Sequence, residues 1–287
     1  GQASSLPELA VQYADFANWQ NELLQPGSEL LESQLAYWKE QLRDVPDLDL
    51  PTDRPRPAVY DPRGAIMPFE LSPELSREVK MLSCREGVTL YMALLAAFDM
   101  LLYSQSGQDD IVVGTAIANR THIETEKLIG FFVNMLVMRT DLSGDPTFRE
   151  LLQRVREVTL GAYSHQDVPL AKIVGELQVK RDVSRNPLFQ VVFLLQNAST
   201  QTLELPGLKL SPFEFRVTTA PFDMILSLNE IGDHLRGSVT YNTALFDEQT
   251  IERLFIDYEN VLERVVADPN QPLSNLQVLA RAVSSSS

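Results

Sequence analysis

A single cysteine, Cys84, stands among 287 residues. No internal disulfide framework can form, and the expected setting is a reducing one, the cytoplasm. On an expected helix that thiol reads as a small structural side chain rather than a nucleophile. Histidine is nearly as scarce: His122, His165 and His234 are the whole set, no two are adjacent, and none has a Cys or carboxylate at metal-ligand spacing. Cationic side chains are in deficit, 24 Lys and Arg against 39 Asp and Glu, for a net charge of −15. Phosphate backbones and anionic lipid need clustered Lys and Arg, so neither nucleic acid nor membrane is an expected partner. No apolar run reaches membrane-spanning length; the densest, Leu90 to Tyr103, is short and carries Asp99, so it reads as a buried helix. A phosphate-cradling glycine loop, a GxSxG elbow and an HExxH pair are also missing. So are internal repeats.

What is present is an ordinary globular balance, 44% apolar and 22% charged, in a chain long enough for one large domain or two small ones. The first residue is Gly and the last four are Ser, so both ends read as edges of a piece cut from something longer.

Along the chain, helices are expected over 8–24 and 29–43, with Trp19, Leu23, Leu31, Leu35 and Trp38 as their apolar positions. Pro51, Pro55 and Pro57 then forbid helix and favour an extended tether, or else a rigid surface loop. A strand at 64–71 leads to a helix with Ser72 as N-cap and Pro73 at its first position. Thr89 caps the apolar helix that follows, and strands are expected at 111–117 and 133–142. Phe148, Leu151, Leu152, Val155, Val158 and Ala162 form one stripe of a helix over 147–164. A short helix at 169–178, a central strand at 188–196 and a strand near 208–216 come next. Then a hairpin of 224–231 and 235–241 turns at Gly232-Asp233, and a last helix starts at Asp247. Intermixed strands and helices indicate a layered α/β sandwich.

Ser164, His165 and Asp167 lie close together and invite a triad reading. Adjacent side chains on a helix diverge by about 100°, and triads assemble from distant segments, so His165 is better read as a helix-terminus residue beside the last carbonyls. Lys180 to Leu188 packs charges into a loop before a strand, with Asp182 expected to pair with Arg181 or Arg185. The small residues from Gly114 admit either close approach of a ligand or dense packing. Asn134, inside an apolar strand, must be hydrogen-bonded; it fastens a loop or lines a cavity.

Four segments together resemble the condensation-domain family of nonribosomal peptide synthetases. Tyr13 to Gln20 (YADFANWQ) is similar to that family's YxD[FY]AxW motif. Ile129 to Arg139 (IGFFVNMLVMR) resembles GxFVNT with a trailing Arg, Met135 standing where Thr is usual. His165 to Leu170 (HQDVPL) resembles HQDxP[FL], and Arg181 to Leu188 (RDVSRNPL) matches RDxSRNPL. The four occur in the family's order and the resemblance spans about residues 7 to 279. Besides Met135 it departs at one larger place: the family's catalytic HHxxxDG, which lies upstream of the first segment, has no counterpart in these 287 residues.

The resemblance implies a chloramphenicol-acetyltransferase-like α/β sandwich, a mixed sheet with helices packed on it, one of two lobes that meet around a tunnel. It implies a helical lead-in from the other, N-terminal lobe at 1–50, a Pro-rich connector at 51–62, the C-terminal lobe at 63–279 and a linker or artificial tail at 280–287. The parent enzyme would form an amide between two carrier-bound acyl groups, its second motif histidine acting near the attacking amine. This chain would supply tunnel wall and carrier-docking surface and be inactive alone. No cofactor would bind it directly; a phosphopantetheine arm would arrive on a peptidyl carrier protein, and further partners would be the N-terminal lobe and a downstream adenylation domain. Expected wall residues are Thr115, Ala116, Asn134, Gln196, Asn197 and Ser227, the last because its strand exposes Ile225, Ser227 and Asn229 on one side. Arg54 and Arg120 are expected to reach toward the other lobe. Arg139, His165, Asp167, Arg181, Asp182, Arg185 and Asn186 carry the interface or structural motifs. The competing readings are a noncatalytic carrier-docking module, a cyclising or epimerising variant, and a free-standing acyl-CoA transferase using His165.

Overall fold

Four hydroxyl side chains start helices by the same device, each accepting a hydrogen bond from the backbone N–H three residues on. Ser28 accepts from Leu31, Ser72 from Leu75, Thr89 from Met92 and Thr147 from Glu150. They open α2 (Glu29–Gln41), α3 (Pro73–Glu86), α4 (Leu90–Ser106) and α5 (Phe148–Ser164). Each cap satisfies an amide that the helix itself leaves orphaned. Gly87 and Gly107, at φ 66° and 71°, end α3 and α4 in the left-handed conformation. The computed structural model describes residues 9–179, 182–196, 208 and 218–276. Its remaining α-helices are α1 (Tyr13–Leu23), α6 (Leu170–Leu177), α7 (Glu248–Ala267) and the single turn α8 (Leu273–Leu276), with one 3-10 turn at Ile123–Thr125.

Six strands form one mixed sheet: β1 (Gly64–Glu70), β2 (Asp110–Ile117), β3 (Asn134–Asp141), β4 (Val191–Gln196), β5 (Met224–Ile231) and β6 (His234–Asn242). Their spatial order is β1-β6-β5-β4-β2-β3. β4 runs parallel to both β2 and β5, and the other pairings are antiparallel. The β5–β6 hairpin turns at Gly232, φ 60°, as expected from sequence. Helices α3, α4, α5 and α7 pack on one another and against the sheet. Met224, Leu226 and Leu228 on β5 are buried, while Ile225, Ser227 and Asn229 are half-buried on the opposite face. This is the layered α/β sandwich that the pattern implied.

Two strands depart from expectation. β4 begins at Val191 rather than 188, because Leu188 takes φ 72° and breaks the extended run. The strand expected near 208–216 falls, Leu208 apart, outside the described residues.

Leu31, Leu35 and Trp38 of α2 are buried in the same core as α4 and β2. The Pro-rich segment is extended yet clamped along its length. Asp53 N–H donates to Leu245 at 2.9 Å, Tyr60 N–H to Val183 at 2.9 Å, and the Tyr60 hydroxyl to the Ala220 carbonyl at 2.6 Å. Between them the Arg56 guanidinium makes a two-pronged ion pair with Asp223, Nη1 to Oδ1 at 3.0 Å, both side chains largely buried.

One charged residue sits within α4 where almost everything else is apolar. Asp99 is 1% exposed, and the Thr140 hydroxyl beside its carboxyl offsets only part of the cost of burial. Burial pushes its carboxyl up to about 8, so it carries its proton at neutral pH.

Candidate functional site

The 165–170 segment follows α5 and is fastened from three sides. His165 is the C-cap of that helix; its Nδ1 lies 2.8 Å from the Gly161 carbonyl and its ring stacks on Tyr37 at 3.9 Å. Trp38 Nε1 donates to the His165 carbonyl at 2.8 Å. Gln34 on α2 donates from Nε2 to Asp167 Oδ2 at 2.5 Å, and its Oε1 accepts from the Asp167 and Val168 amides. The Ser164 hydroxyl is spent on Leu160, so no triad forms.

Asn134, at the start of β3, supplies the third side. Its Nδ2 donates to the Gln166 and Val168 carbonyls, each at 2.9 Å, and its Oδ1 accepts from the Met135 and Leu170 amides at 2.9 and 3.2 Å. All its capacity is used. Of the two roles left open by the sequence, the structure selects the loop fastener; Asn134 is not one of the cleft residues described below.

Arg139, at the far end of β3, pairs with Asp110 and donates to the Gln41 and Arg43 carbonyls at 3.0 and 2.7 Å. It ties the C-terminus of α2 to the sheet. Arg54 and Arg120 are also held within the chain rather than extended toward a second lobe. Arg54 pairs with Asp247 and donates to the Thr243 carbonyl at 3.3 Å; Arg120 donates to the Thr125 carbonyl and lies 4.1 Å over the Phe132 ring. Intramolecular carbonyl and carboxylate acceptors close by capture both guanidiniums.

In the 181–188 loop, Asp182 accepts from the Ser184 amide and hydroxyl at 2.8 and 2.7 Å, and these bonds hold its carboxyl below the ordinary range. Its approach to Arg185 is a long 4.0 Å, and Arg185 stands nearer Asp47 at 3.5 Å. Asn186 Nδ2 donates to the Pro221 carbonyl at 2.8 Å. Arg181 and Asn197 lie outside the described residues.

Three of the expected wall residues do come together. The carboxyl ends of the parallel strands β2 and β4 flank a cleft of about 210 Å³ whose lining includes Thr115, Ala116, Leu194 and Gln196. Thr115 is 2% exposed and donates from Oγ1 to the Phe193 carbonyl at 2.9 Å. Ser227 stands just outside, accepting from Gln196 Nε2 at 3.4 Å. Gly114, one residue earlier, is closed to any ligand: a Cβ there would meet the Phe189 ring at 2.2 Å, so its small size serves packing.

Two phenols in the cleft are not foreseen by the sequence, Tyr91 from the first turn of α4 and Tyr163 from the end of α5. Burial raises both above the ordinary phenol range. The Tyr91 hydroxyl is fully buried beside the Thr115 side chain. The available signal is a tyrosine in the opening turn of an otherwise apolar helix. Arg56, Asp223 and Gln34 give no such signal, because their partners are remote in sequence. Among the described residues no group of three or more His, Cys, Asp or Glu is placed to hold a metal, and no single helix is long and apolar enough to cross a membrane.

Comparison with known proteins follows the same lines. The family model described as Condensation domain matches residues 1–284. A polypeptide of the linear gramicidin synthase of Brevibacillus parabrevis is 49% identical over 282 residues, covering 97% of this chain and 6% of that protein. Chondramide synthase cmdD of Chondromyces crocatus is 45% identical over 276 residues, 96% of this chain and 7% of that one. The chain therefore spans a small fraction of the curated relatives' length. Among solved structures, the X-domain from teicoplanin biosynthesis superposes with a TM-score of 0.89 at 31% identity, covering 97% of this chain and 64% of that chain. The four-domain nonribosomal peptide synthetase holo-AB3403 gives 0.82 at 26% identity, covering 93% and 22%.

Proposed function

This chain belongs to the condensation-domain family, and from that we propose that it is the C-terminal lobe of a nonribosomal peptide synthetase condensation domain. In this reading it walls the tunnel in which an amide forms between carrier-bound aminoacyl and peptidyl thioesters. Thr115, Ala116 and Gln196 line the wall, with Ser227 at its margin. The observation that carries the reading is their convergence at the carboxyl ends of parallel strands, where open α/β sheets place ligands. Coverage of 64% of the teicoplanin X-domain chain supports one lobe plus lead-in rather than two lobes.

The proton-handling histidine would stand on the other lobe. None of His122, His165 and His234 has a neighbouring histidine, and His165 is committed to Gly161 and Tyr37. Partners in this reading are that N-terminal lobe, peptidyl carrier proteins bearing phosphopantetheine, and a downstream adenylation domain, all in the cytoplasm. Incubating this chain alone with an aminoacyl- and a peptidyl-carrier thioester should yield no amide above background by mass spectrometry. Turnover at an enzymatic rate would refute the one-lobe assignment.

A second reading, a noncatalytic interaction module, is favoured by one observation. The teicoplanin X-domain, 32% identical, was solved in a complex with OxyB. Titrating a labelled carrier protein separates the two: tight binding by this chain alone supports the module, and weak binding supports the lobe.

A further inference from the structure

We infer that α1 and the segment joining β2 to β3, residues 118–133, form one strap at the mouth of the cleft, and that this strap opens as a unit while the core stays folded. The packing does not depend on the amide-forming reading; what passes the mouth, an aminoacyl or peptidyl thioester, rests on it.

The first support is a boundary in the packing. Ile117 and Met135 pack on the core that unites α2, α4 and the sheet, whereas no apolar residue of 13–23 or 118–133 belongs to it. Leu128 and Phe132 are nevertheless buried, at 4% and 3% exposure. A small cluster set apart from the main core can open locally, because only that cluster is then exposed.

The second support is the way α1 is held. It buries no residue of its own, and Tyr13, Phe16 and Trp19 follow one another at the spacing that lines a single helix face. Phe132 stands edge-on to Tyr13 at 5.1 Å and lies 4.7 Å from Phe16, while Trp19 meets His122 edge-on at 5.0 Å. The Tyr13 hydroxyl donates to the Phe131 carbonyl at 2.9 Å. Gly130 lies so close to Tyr13 that a Cβ there would stand 2.3 Å from its ring. Aromatic contacts of this kind are individually modest, so the clasp both holds α1 and releases it. Within 118–133 the Thr125, Glu126 and Leu128 amides donate to the His122, Ile123 and Thr125 carbonyls. The segment is thus braced from inside and moves as a piece.

The third support is where the strap is tethered. Leu24, just past the end of α1, is buried in the core, and its carbonyl accepts from Lys172 Nζ at 2.7 Å. Asn119 takes φ 51°, a left-handed turn at the start of the segment. Ala118 and Val133, its two ends, both line the cleft, so moving the strap exposes Leu194 and Leu195 of the same lining.

Gly130→Ala and Phe16→Ala each loosen the clasp in the full 287-residue chain, one from the loop and one from the helix. Hydrogen exchange should then accelerate about tenfold or more, the order of one lost aromatic contact. It should do so both at the α1 amides and at those of Thr125, Glu126 and Leu128, whichever segment carries the change. Amides of α4 should exchange as in the unaltered chain. The methyl resonances of Leu194 and Leu195 should gain relaxation from a dissolved gadolinium chelate in both variants. Acceleration confined to the altered segment, or none at all, would overturn the single unit, and acceleration reaching α4 would overturn its independence of the core. Unchanged methyl relaxation would overturn the role at the cleft mouth. Neither measurement uses a thioester, so failure here is separate from failure of the amide-forming assay.

Discussion

Replacing Asp99 with Asn should stabilise the chain, and by an amount that grows with pH. The carboxyl of Asp99 is fully buried in α4 with the Thr140 hydroxyl beside it, and moves from its ordinary 3.8 to about 8. An acid raised in this way binds its proton more tightly in the folded chain than in the unfolded one. Its favourable contribution is complete below about pH 4, is lost progressively as pH rises, and is gone above about pH 8. The slope in that window is about 1.4 kcal/mol per pH unit, so at pH 7 the cost of keeping Asp99 protonated is on the order of 4 kcal/mol. Asn matches the shape and does not titrate. Urea unfolding followed by the fluorescence of Trp19 and Trp38 should therefore show the Asn variant gaining about 3 kcal/mol on the parent between about pH 5 and pH 7. A difference that stays flat across that interval would refute the argument. It would mean that the native state solvates the Asp99 carboxylate by a route absent from this account.

Other substitutions probe single contacts. Asp223→Ala leaves Arg56 buried without its partner and should cost about 3–5 kcal/mol by urea midpoint. Asn134→Ala strips the Gln166 and Val168 carbonyls and the Leu170 amide of their partner. It should cost about 2–3 kcal/mol and speed amide hydrogen exchange selectively at 165–170. Thr147→Ala removes the side-chain half of the capping box with Glu150 and should lower stability by about 1 kcal/mol. Gly114→Ala drives a methyl into the Phe189 ring and should lower the melting temperature, with a cost of about 1–3 kcal/mol.

What can be read from the sequence is what is decided locally. Ser72-Pro73, Thr89 and Thr147 mark helix starts because a cap and its amide lie three residues apart. Helix geometry alone rules out the Ser164–His165 pair, and each side chain indeed bonds to its own preceding turn. Leu188 reads as strand because an apolar β-former gives no warning of a positive φ. Thr115, Ala116 and Gln196, which line the cleft, are expected together from the family resemblance and not from periodicity. Tyr91 shows in sequence only as a tyrosine in the first turn of an apolar helix, because the burial of its hydroxyl is a statement about every neighbour in space. Arg56 and Asp223, 167 residues apart, fall under the same limit.

Sheet order has a consequence for synthesis on the ribosome. Among the described residues β1 is ladder-paired along its length with β6, which begins at His234, about 160 residues downstream, and its first residue, Gly64, also donates to the Thr218 carbonyl at 2.9 Å. At translation speeds of roughly 5–20 residues per second, β1 waits on the order of 10–30 seconds with Met67 and Phe69 unshielded. Pro68 stands between them. Lacking an N–H, it cannot extend a hydrogen-bonded ladder with a neighbouring nascent chain, and edge strands are where a sheet tolerates it. One residue thus guards the segment from intermolecular pairing until its own partner emerges.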